Sequence, residues 1–489
     1  MTKNIYIILL SVVFLFSCGH PSVPQGAKEQ GKLPTIYPDY TEVTIPANLC
    51  PPNFMMETPC DEVVAQFSVG NIEYCYSEEN KVIIDEGEWA EMRDAAKGKS
   101  ISVKVYAKSN GEWTAYKPFS INVAKEDIDP YLSYRLIEPS YVIYNDLSIE
   151  QRDITSFDAS DIYNNQLYNT PDKQQCINCH SYQDYKTSNM LFHVRQNNGG
   201  TVIVHDGAVE KVDLKRDSTI SAGVYPAWHP KESLIAFSTN TTQQSFHTKD
   251  NDKIEVFDTA SDLILYDVEN HKVSTISQEK DELECFPTWS PDGKTLYYTS
   301  AHFEYVSDTL DEQVEFVMRY KEVKYNIYSR SFDAKSRTFG PAELVFDAAA
   351  IDKSATLPRI SPDGKYLTFS LGNYGCFHVW HNDADIMVMD LKTKEVVAAD
   401  GLNSNFSESY PSFSSNGRWL MCASRCDDGN HTRPRIAYFD KNGKCGKAFL
   451  LPQSDPERYK CMWKSFNRPE FMVEPVKISP QQFAEKIKE

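Results

Sequence analysis

The chain has no excess of basic residues, and this scarcity excludes one class of partner. It contains 50 Lys and Arg against 69 Asp and Glu, so its formal net charge is -19. An acidic surface repels phosphate backbones and anionic lipid headgroups. We therefore expect no nucleic-acid partner, whereas a basic protein partner is compatible with this charge.

Motifs for hydrolysis and for nucleotide binding are also missing. The sequence contains no Gly-x-Ser-x-Gly nucleophile elbow, no α/β domain pattern near its C-terminus and no glycine-rich phosphate loop. These are the usual signatures of serine hydrolases and nucleotide-driven enzymes. We therefore do not expect a hydrolase, and the sequence alone leaves open whether the protein is an enzyme.

Long apolar runs are absent after Ser17, so no later segment is long enough to cross a bilayer. Residues 1–17 themselves have a secretory signal pattern: Lys3 precedes a short apolar stretch from Ile5 to Phe16. The ending Leu-Phe-Ser-Cys resembles the lipobox of bacterial lipoproteins, in which cleavage leaves the cysteine, here Cys18, acylated. An ordinary secretory signal is the alternative.

Export follows from either interpretation of the N-terminus. We expect the protein in the cell envelope, anchored by lipid in the outer or inner membrane and exposed to the periplasm or the cell surface. Residues 18–34 are rich in Pro, Gly, Gln and Lys and predict a flexible tether.

The most specific motif is Cys176-Ile177-Asn178-Cys179-His180. Two cysteines three positions apart, followed by histidine, form the pattern that attaches haem c through two thioether bonds, with the histidine as axial iron ligand. The motif resembles that of c-type cytochromes, which acquire haem outside the bacterial cytoplasm. A zinc site, a redox pair or a disulfide are the alternatives.

A sixth iron ligand is the next question that the motif raises. Met190 lies ten residues beyond His180, and His193 is equally reachable, so either is a candidate. Arg195 is a candidate partner for a haem propionate. For each of these residues, an ordinary role in packing or on the surface is the alternative.

Cysteine pairing elsewhere in the chain cannot be assigned. Twelve cysteines less Cys18, Cys176 and Cys179 leave nine, so the remainder cannot all pair within one chain. Disulfides are compatible with export, but their connectivity does not follow from spacing.

Residues 35–128 predict a small β-sandwich-like domain. Val64 to Tyr76, Ile101 to Tyr106 and Phe119 to Val123 alternate between apolar and polar residues. Asn110-Gly111 predicts a hairpin turn, and a short helix is expected near Glu88 to Ala96. We find no group of chemically active residues here.

Internal repeats begin later in the chain. Each unit joins a short strand, a turn of Pro-Asp-Gly type and a second strand. The four units start at Tyr225-Pro226, Phe286-Pro287, Leu357-Pro358 and Tyr410-Pro411. A further strand follows each unit, so a four-stranded repeat, and hence a β-propeller, is predicted.

The turn Ser-Pro-Asp-Gly-Lys followed by an apolar strand resembles the repeat of TolB-like propellers, relatives of the tryptophan-aspartate (WD) repeat proteins. The full Ser-Pro-Asp-Gly-Lys motif is present at Ser290 to Lys294 and at Ser361 to Lys365. This resemblance implies an all-β fold with a propeller of about five or six blades over residues 190–455. The units are farther apart than a usual blade of about 40–50 residues, which predicts inserted loops.

Residues 129–189 are expected to form the entry to the propeller and the loop that carries the haem motif. The loop itself is polar, rich in Asn and Gln, and covers about residues 150–189, inserted into the first blade. Residues 456–489 predict a C-terminal tail with a short helix from Pro480 to Lys488. The combination of lipoprotein signal, β-domain and propeller with a Cys-x-x-Cys-His insert is similar to lipoproteins of Bacteroidetes-type bacteria.

A second candidate site is the segment from Tyr374 to Asp385. His378 and His381 lie near two carboxylates and could ligate a divalent metal, while the aromatic residues of the segment could floor a pocket at one mouth of the propeller. Structural packing is the alternative for both histidines.

Together these patterns predict a membrane-anchored c-type cytochrome for electron transfer or redox sensing, with a redox or envelope protein as its partner. The alternative is a TolB-like interaction propeller whose Cys-x-x-Cys-His is a structural metal or disulfide element. A haem enzyme with an open iron position is a third hypothesis.

Overall fold

The computed structural model describes residues 21–139, 146–168, 170, 172–249 and 252–489. The predicted signal peptide and the predicted lipidation site Cys18 lie outside the described residues. The fold is nearly all-β, as the repeats predict. Within the described residues, no helix is long and apolar enough to cross a membrane.

The N-terminal region contains a seven-stranded sheet, a three-stranded sheet and the helix Glu86–Ala95. The strands of the larger sheet are Lys28–Glu29, Thr44–Ile45, Glu62–Val69, Ile72–Tyr76, Ser100–Ser109, Glu112–Ala115 and Phe119–Val123. Those of the smaller sheet are Ile36–Tyr37, Phe54–Met56 and Lys81–Val82.

The hairpin turn predicted at Asn110-Gly111 is confirmed by the structure. Asn110 and Gly111 have positive φ angles of 51° and 82° and connect two paired strands, as their hairpin pattern predicts. The tether interpretation needs a correction, because Lys28 and Glu29 pair in parallel with Thr114 and Ala115.

Beyond the N-terminal region, the described residues form six units of four main strands each, here called sheets 1 to 6 and given with the inner strand first. Sheet 1 contains Ser465–Met472, Tyr131–Ile137, Ser148–Asp153 and Ala159–Asn164. Sheet 2 contains Gln175–Gln183, Lys186–Gln196, Gly200–His205 and Ala208–Val212. Sheet 3 contains Val224–Trp228, Leu234–Phe246, Ile254–Asp267 and Lys272–Ser277.

Sheet 4 contains Glu282–Trp289, Thr295–His302, Asn326–Asp333 and Glu343–Phe346, with Thr338–Phe339 as a short extra strand. Sheet 5 contains Ser354–Ile360, Tyr366–Gly372, Asp385–Asp390 and Val396–Ala398. Sheet 6 contains Glu408–Phe413, Trp419–Ser424, Arg433–Tyr438 and Phe449–Leu450. Sheets 3 and 4 are continuous, because Ser261 pairs with Leu283.

The inner strands contact one another in a closed cycle, from sheet 1 through sheet 6 and back to sheet 1. The cycle closes because Ser465–Met472 pairs with Tyr131–Ile137, which joins the end of the chain to the first sheet. Residues 456–489 are therefore not simply a tail. The helix Pro480–Lys488 is present as predicted, and the other helices beyond the N-terminal region are Glu312–Arg319 and Arg458–Cys461.

The repeated turns hold their strands by side-chain hydrogen bonds. Ser290 Oγ accepts a bond from the Thr295 amide at 3.0 Å and donates one to Asp292 at 2.6 Å, while Gly293 has a φ of 77°. The same bonds recur around Ser361 and Asp363. Serine, aspartate and glycine are needed here because they satisfy the turn amides and permit left-handed backbone.

Candidate functional site

The Cys-x-x-Cys-His motif lies on the inner strand of sheet 2, Gln175–Gln183. This corrects the prediction of a polar loop. The pairing with the next strand shifts between Asn178 and Ser181, and Cys179 at this bulge has a φ of 53°. The bulge interrupts the regular alternation of side chains between the two faces of the strand. Cys176, Cys179 and His180 therefore all line one cavity.

The bulge at Cys179 recurs on every inner strand. In each case one residue with positive φ lies at a register shift: Cys179 (53°), Tyr225 (49°), Phe286 (51°), Leu357 (56°), Tyr410 (52°) and Arg468 (51°). The following residue is proline on five of these strands and His180 on the sixth. The motif is therefore built on the repeat itself and is not an insertion into it.

The cavity has a volume of about 180 Å³ and is bordered by inner strands and by the segment after Tyr366–Gly372. Its apolar wall includes Ile137, Tyr225, Val256, Phe377, Val379, Trp380 and Tyr410. Its polar wall includes Arg135, Asn178, Arg195, Thr242, Gln244, Asn467 and Arg468. The wall therefore combines aromatic surface with three cations.

His180 is fully buried, and among the described residues no side chain forms a hydrogen bond with its ring nitrogens; the backbone of Arg468 lies close enough to raise its pKa slightly. Burial lowers the pKa of His180 to about 4, so the imidazole is neutral at pH 7. A buried neutral imidazole with few hydrogen bonds is costly, and it has lone-pair capacity that a metal ion could use. Burial also raises the pKa of the Cys176 thiol.

The three arginines of the wall differ in their surroundings. Arg135 is buried and donates to the Ile177 carbonyl at 3.0 Å, which ties it to the motif. Arg468 forms an ion pair with Glu470 at 3.2 Å. Arg195 is exposed and is opposite Cys176 in the strand pairing. Arg195 therefore borders the same cavity as Cys176, and its pairing with a haem propionate stays a prediction.

The second candidate segment meets the first one in space. Phe377, Val379 and Trp380 line the same cavity as Cys176 and Cys179. The guanidinium of Arg425 lies 4.2 Å from the centroid of the Trp380 ring, which holds that indole in place. The aromatic floor was predicted from the sequence, but its meeting with the haem motif was not.

The two histidines of this segment are engaged separately. His381 Nε2 lies 3.1 Å from Glu255 Oε1, and His378 Nδ1 lies 3.2 Å from Ser370 Oγ. Burial lowers the pKa of His378 to about 3. Burial also acts to lower the pKa of His381, but the hydrogen bond and charge of Glu255 outweigh it and raise that pKa.

Met190 and His193 do not line the cavity. Met190 is buried in the apolar core beside Phe192, and His193 Nδ1 lies 2.9 Å from Thr201 Oγ1. The structure therefore does not bring either predicted sixth ligand to the cavity that His180 borders. The residues missed by sequence reasoning include Arg468, although Arg468-Pro469 repeats the residue-proline step of the other inner strands.

None of the eleven cysteines among the described residues is in a disulfide. Among the described residues, one group of three potential metal donors lies close together, formed by Asp258, Cys285 and Cys376. The Cys-x-x-Cys-His residues do not form such a group, so they are not arranged around one small ion.

No protein-family model matches this sequence, and no curated protein matches it. Among solved structures, the tricorn protease has a TM-score of 0.36 at 12% identity over 73% of this chain. A luciferin-regenerating enzyme has a TM-score of 0.36 at 11% identity, covering 66% of this chain and 91% of the other. An oligogalacturonate lyase from Vibrio parahaemolyticus has a TM-score of 0.32 at 12% identity, covering 71% of this chain and 87% of that enzyme.

The chain spans about a third, 34%, of the tricorn protease. At these TM-scores the likenesses do not define the function of this chain.

Proposed function

We propose that this chain is an exported lipoprotein that holds one covalent haem c in the centre of a six-bladed propeller and acts in electron transfer or redox sensing. The observation that carries the proposal is the cavity shared by Cys176, Cys179 and the buried, neutral imidazole of His180. The redox partner would be an envelope protein, and the acidic chain favours a basic one.

The closed cycle of six sheets supports a blade count of six, at the upper end of the range expected from the sequence. In this interpretation, the C-terminal strand Ser465–Met472 completes the first blade. The N-terminal sheets would form the predicted sandwich-like module, packed through Tyr40 and Ile45 in a core that also contains Trp419 of sheet 6.

The residues of the cavity fit a haem in their chemistry. Cys176 and Cys179 supply the two thiols, and His180 supplies a neutral imidazole for iron. Arg135, Arg195 and Arg468 provide cations that would neutralise the two propionates. When bound, haem c supplies a one-electron couple or a ligand-binding iron.

The size of the cavity requires a movement of the protein. A volume of about 180 Å³ is below the ~300–1,000 Å³ of most small-molecule pockets. The segment with Phe377 and Trp380 connects two strands of sheet 5 and is the part of the wall without strand pairing. We expect this segment to shift outward when haem is attached.

The cavity also bears on the choice between electron transfer and sensing. Among its described lining residues, His180 is the one histidine and there is no methionine. A haem held by Cys176, Cys179 and His180 would then find no second histidine or methionine among these lining residues, which would favour redox or ligand sensing. Carbon monoxide added to the reduced protein should then change its spectrum, whereas an unchanged spectrum would favour a six-coordinate electron carrier.

The decisive experiment is a reduced pyridine haemochrome spectrum of protein from a host that attaches haem c. A c-type spectrum is expected for the wild type and for a Cys60→Ala, Cys461→Ala control, whose cysteines lie away from the cavity. The spectrum should be lost in the Cys176→Ala, Cys179→Ala variant. A colourless wild type from a competent host would reject the haem proposal.

Lipid attachment is tested separately from haem. The wild type should fractionate with membranes, and Cys18→Ala should be released into the soluble fraction because the acylated residue is lost. Equal membrane association of both proteins would reject the lipoprotein assignment while leaving the haem result intact.

The alternative is an interaction propeller with a metal or disulfide at the motif. The free thiols at Cys176 and Cys179, and the lack of a compact donor group around them in the described residues, argue against it. A colourless protein with stoichiometric metal lost in Cys176→Ala would instead support it.

A further inference from the structure

Three buried donor side chains meet next to the cavity but outside its lining. Asp258 lies on the third strand of sheet 3, Cys285 on the inner strand of sheet 4, and Cys376 in the segment that follows Tyr366–Gly372. One carboxylate oxygen and the two sulfur atoms all lie within 4.8 Å of one another. Each of the three residues is at most 1% exposed.

The surrounding residues hold these donors in position. Asn240 Nδ2 and Thr242 Oγ1 each donate to the Asp258 carboxylate at 2.6 Å, one to each oxygen. A register shift beside Thr242 places that residue opposite Asp258. Cys285 Sγ lies 3.3 Å from Thr299 Oγ1. Such outer contacts orient ligands in protein metal sites.

We propose that Asp258, Cys285 and Cys376 bind one zinc-type divalent ion as a structural site. Two thiolates and a carboxylate are donors that zinc prefers. Zinc bonds of about 2.3 Å to sulfur in a tetrahedron place neighbouring donors roughly 3.5–3.8 Å apart. Cys376 Sγ lies 3.9 Å from Asp258 Oδ2, so small adjustments suffice.

A further oxygen atom near these three donors could be the fourth zinc ligand. The hydroxyl of Tyr325 is fully buried and interacts with Cys376, with Cys285 and Asp258 nearby. In the proposed site this hydroxyl would be the fourth ligand. Binding would release the two thiol protons to solvent, so the ion would be held by two thiolates, a carboxylate and the phenol oxygen.

The site would link sheets 3 and 4 to the segment of sheet 5 that contains Cys376, in addition to the Ser261–Leu283 pairing between sheets 3 and 4. Cys376 immediately precedes Phe377, which lines the cavity, so the ion would fix one end of the movable wall to sheets 3 and 4. This role does not depend on haem. Protein made in a host without haem attachment should contain the same ion.

The test is metal content per chain after equilibration of the reduced, haem-free protein with Zn²⁺ and removal of loosely bound ion. We expect one zinc per wild-type chain, and retention in Cys445→Ser, a buried cysteine in another cluster. Retention in Cys176→Ala, Cys179→Ala is also expected and would separate this site from the haem motif. Loss is expected in Asp258→Asn and in Cys285→Ser.

A second measurement guards against variants that fail to fold. The wild type with Co²⁺ in place of zinc should show a thiolate-to-cobalt charge-transfer absorption. Wild-type protein with no stoichiometric metal and no such absorption would overturn the proposal. So would a cross-linked Cys285–Cys376 peptide in the protein as isolated, because those thiols would then form a disulfide.

Discussion

Cys179 and Arg468 occupy equivalent bulges on neighbouring inner strands, with φ angles of 53° and 51°, and both line the central cavity. Of the six residues with positive φ at these bulges, four line this cavity and two do not: Cys179, Tyr225, Tyr410 and Arg468 line it, whereas Phe286 and Leu357 lie outside its lining. In the other sheets this position carries Tyr225, Phe286, Leu357 or Tyr410. Sheet 2 thus places a thiol where its neighbours place aromatic, aliphatic or cationic groups.

The left-handed backbone at Cys179 predicts that glycine is more stable than alanine at this position. A residue other than glycine in left-handed backbone costs about 1–2 kcal/mol, so Cys179→Gly should be about 1 kcal/mol more stable than Cys179→Ala in the haem-free protein. Both variants remove the thiol, so their difference isolates the backbone. Urea denaturation measures it, and equal midpoints would contradict a left-handed residue at this position.

A buried ion pair beside the cavity predicts a pH-dependent effect. The pKa of His381 is raised by Glu255, so the pair contributes fully below the unfolded-state value of about 6.5 and loses its contribution as pH rises through the folded-state pKa. Glu255→Gln should therefore destabilise the protein by about 2 kcal/mol or more at pH 6, and by less at pH 9.

A surface pair provides the control for that variant. His302 Nδ1 lies 3.0 Å from Glu282 Oε1, but the His302 side chain is 64% exposed. Glu282→Gln should change stability by less than about 1 kcal/mol at either pH. If both variants had the same effect, burial would not be what strengthens the Glu255–His381 pair.

At His229 we expect the opposite dependence of protein stability on pH from that at His381. Its Nδ1 accepts the amides of Lys231 and Glu232, and Nε2 donates to the Gly293 carbonyl at 2.9 Å. Burial lowers the pKa of His229. The unfolded chain then binds the proton more readily, so this residue costs stability as pH falls below about 6.5.

His229→Gln should therefore reduce the loss of stability between pH 7 and pH 5. The comparison is the difference in urea midpoint between the two pH values, which removes any constant effect of packing. A difference unchanged by His229→Gln would show that the imidazole is protonated as easily in the folded protein as in the unfolded one.

The sequence predicted the fold class well where local chemistry decides the structure. The turns at Ser290 and Ser361 were recognisable because serine, proline, aspartate and glycine each have a local role. The inner strand Ser465–Met472 was missed because its partner lies more than 300 residues earlier, and pairing at that distance leaves no local signal. The step Arg468-Pro469 was the one clue to it.

The candidate site was predicted in pieces but not as a whole. Cys176, Cys179 and His180 were recognised by spacing, and the aromatic floor at Phe377 by composition. Met190 and His193 were chosen by sequence distance alone, which ignores that successive strand residues point to opposite faces of a sheet. The Asp258, Cys285 and Cys376 group was not predicted, because its members are on three sheets.

The helix Pro480–Lys488 packs against sheet 2, so we expect the end of the chain to stabilise the strand that carries the haem motif. Phe483 is fully buried, and its ring centroid lies 5.3 Å from that of Phe192 in an edge arrangement. The same apolar cluster contains Cys176 and Ile177. Phe483→Ala should destabilise the protein by about 3–5 kcal/mol, because it leaves a cavity between the helix and sheet 2.

Hydrogen exchange at the motif strand then distinguishes this link from a general loss of stability. Phe483→Ala should speed exchange in Gln175–Gln183 more than in the inner strand of sheet 5, Ser354–Ile360, which lies outside this apolar cluster. Trp463→Ala is the control, because Trp463 is 80% exposed and should change neither stability nor exchange. Uniformly faster exchange in both strands would mean that the helix supports the whole ring of sheets and has no particular connection to the motif.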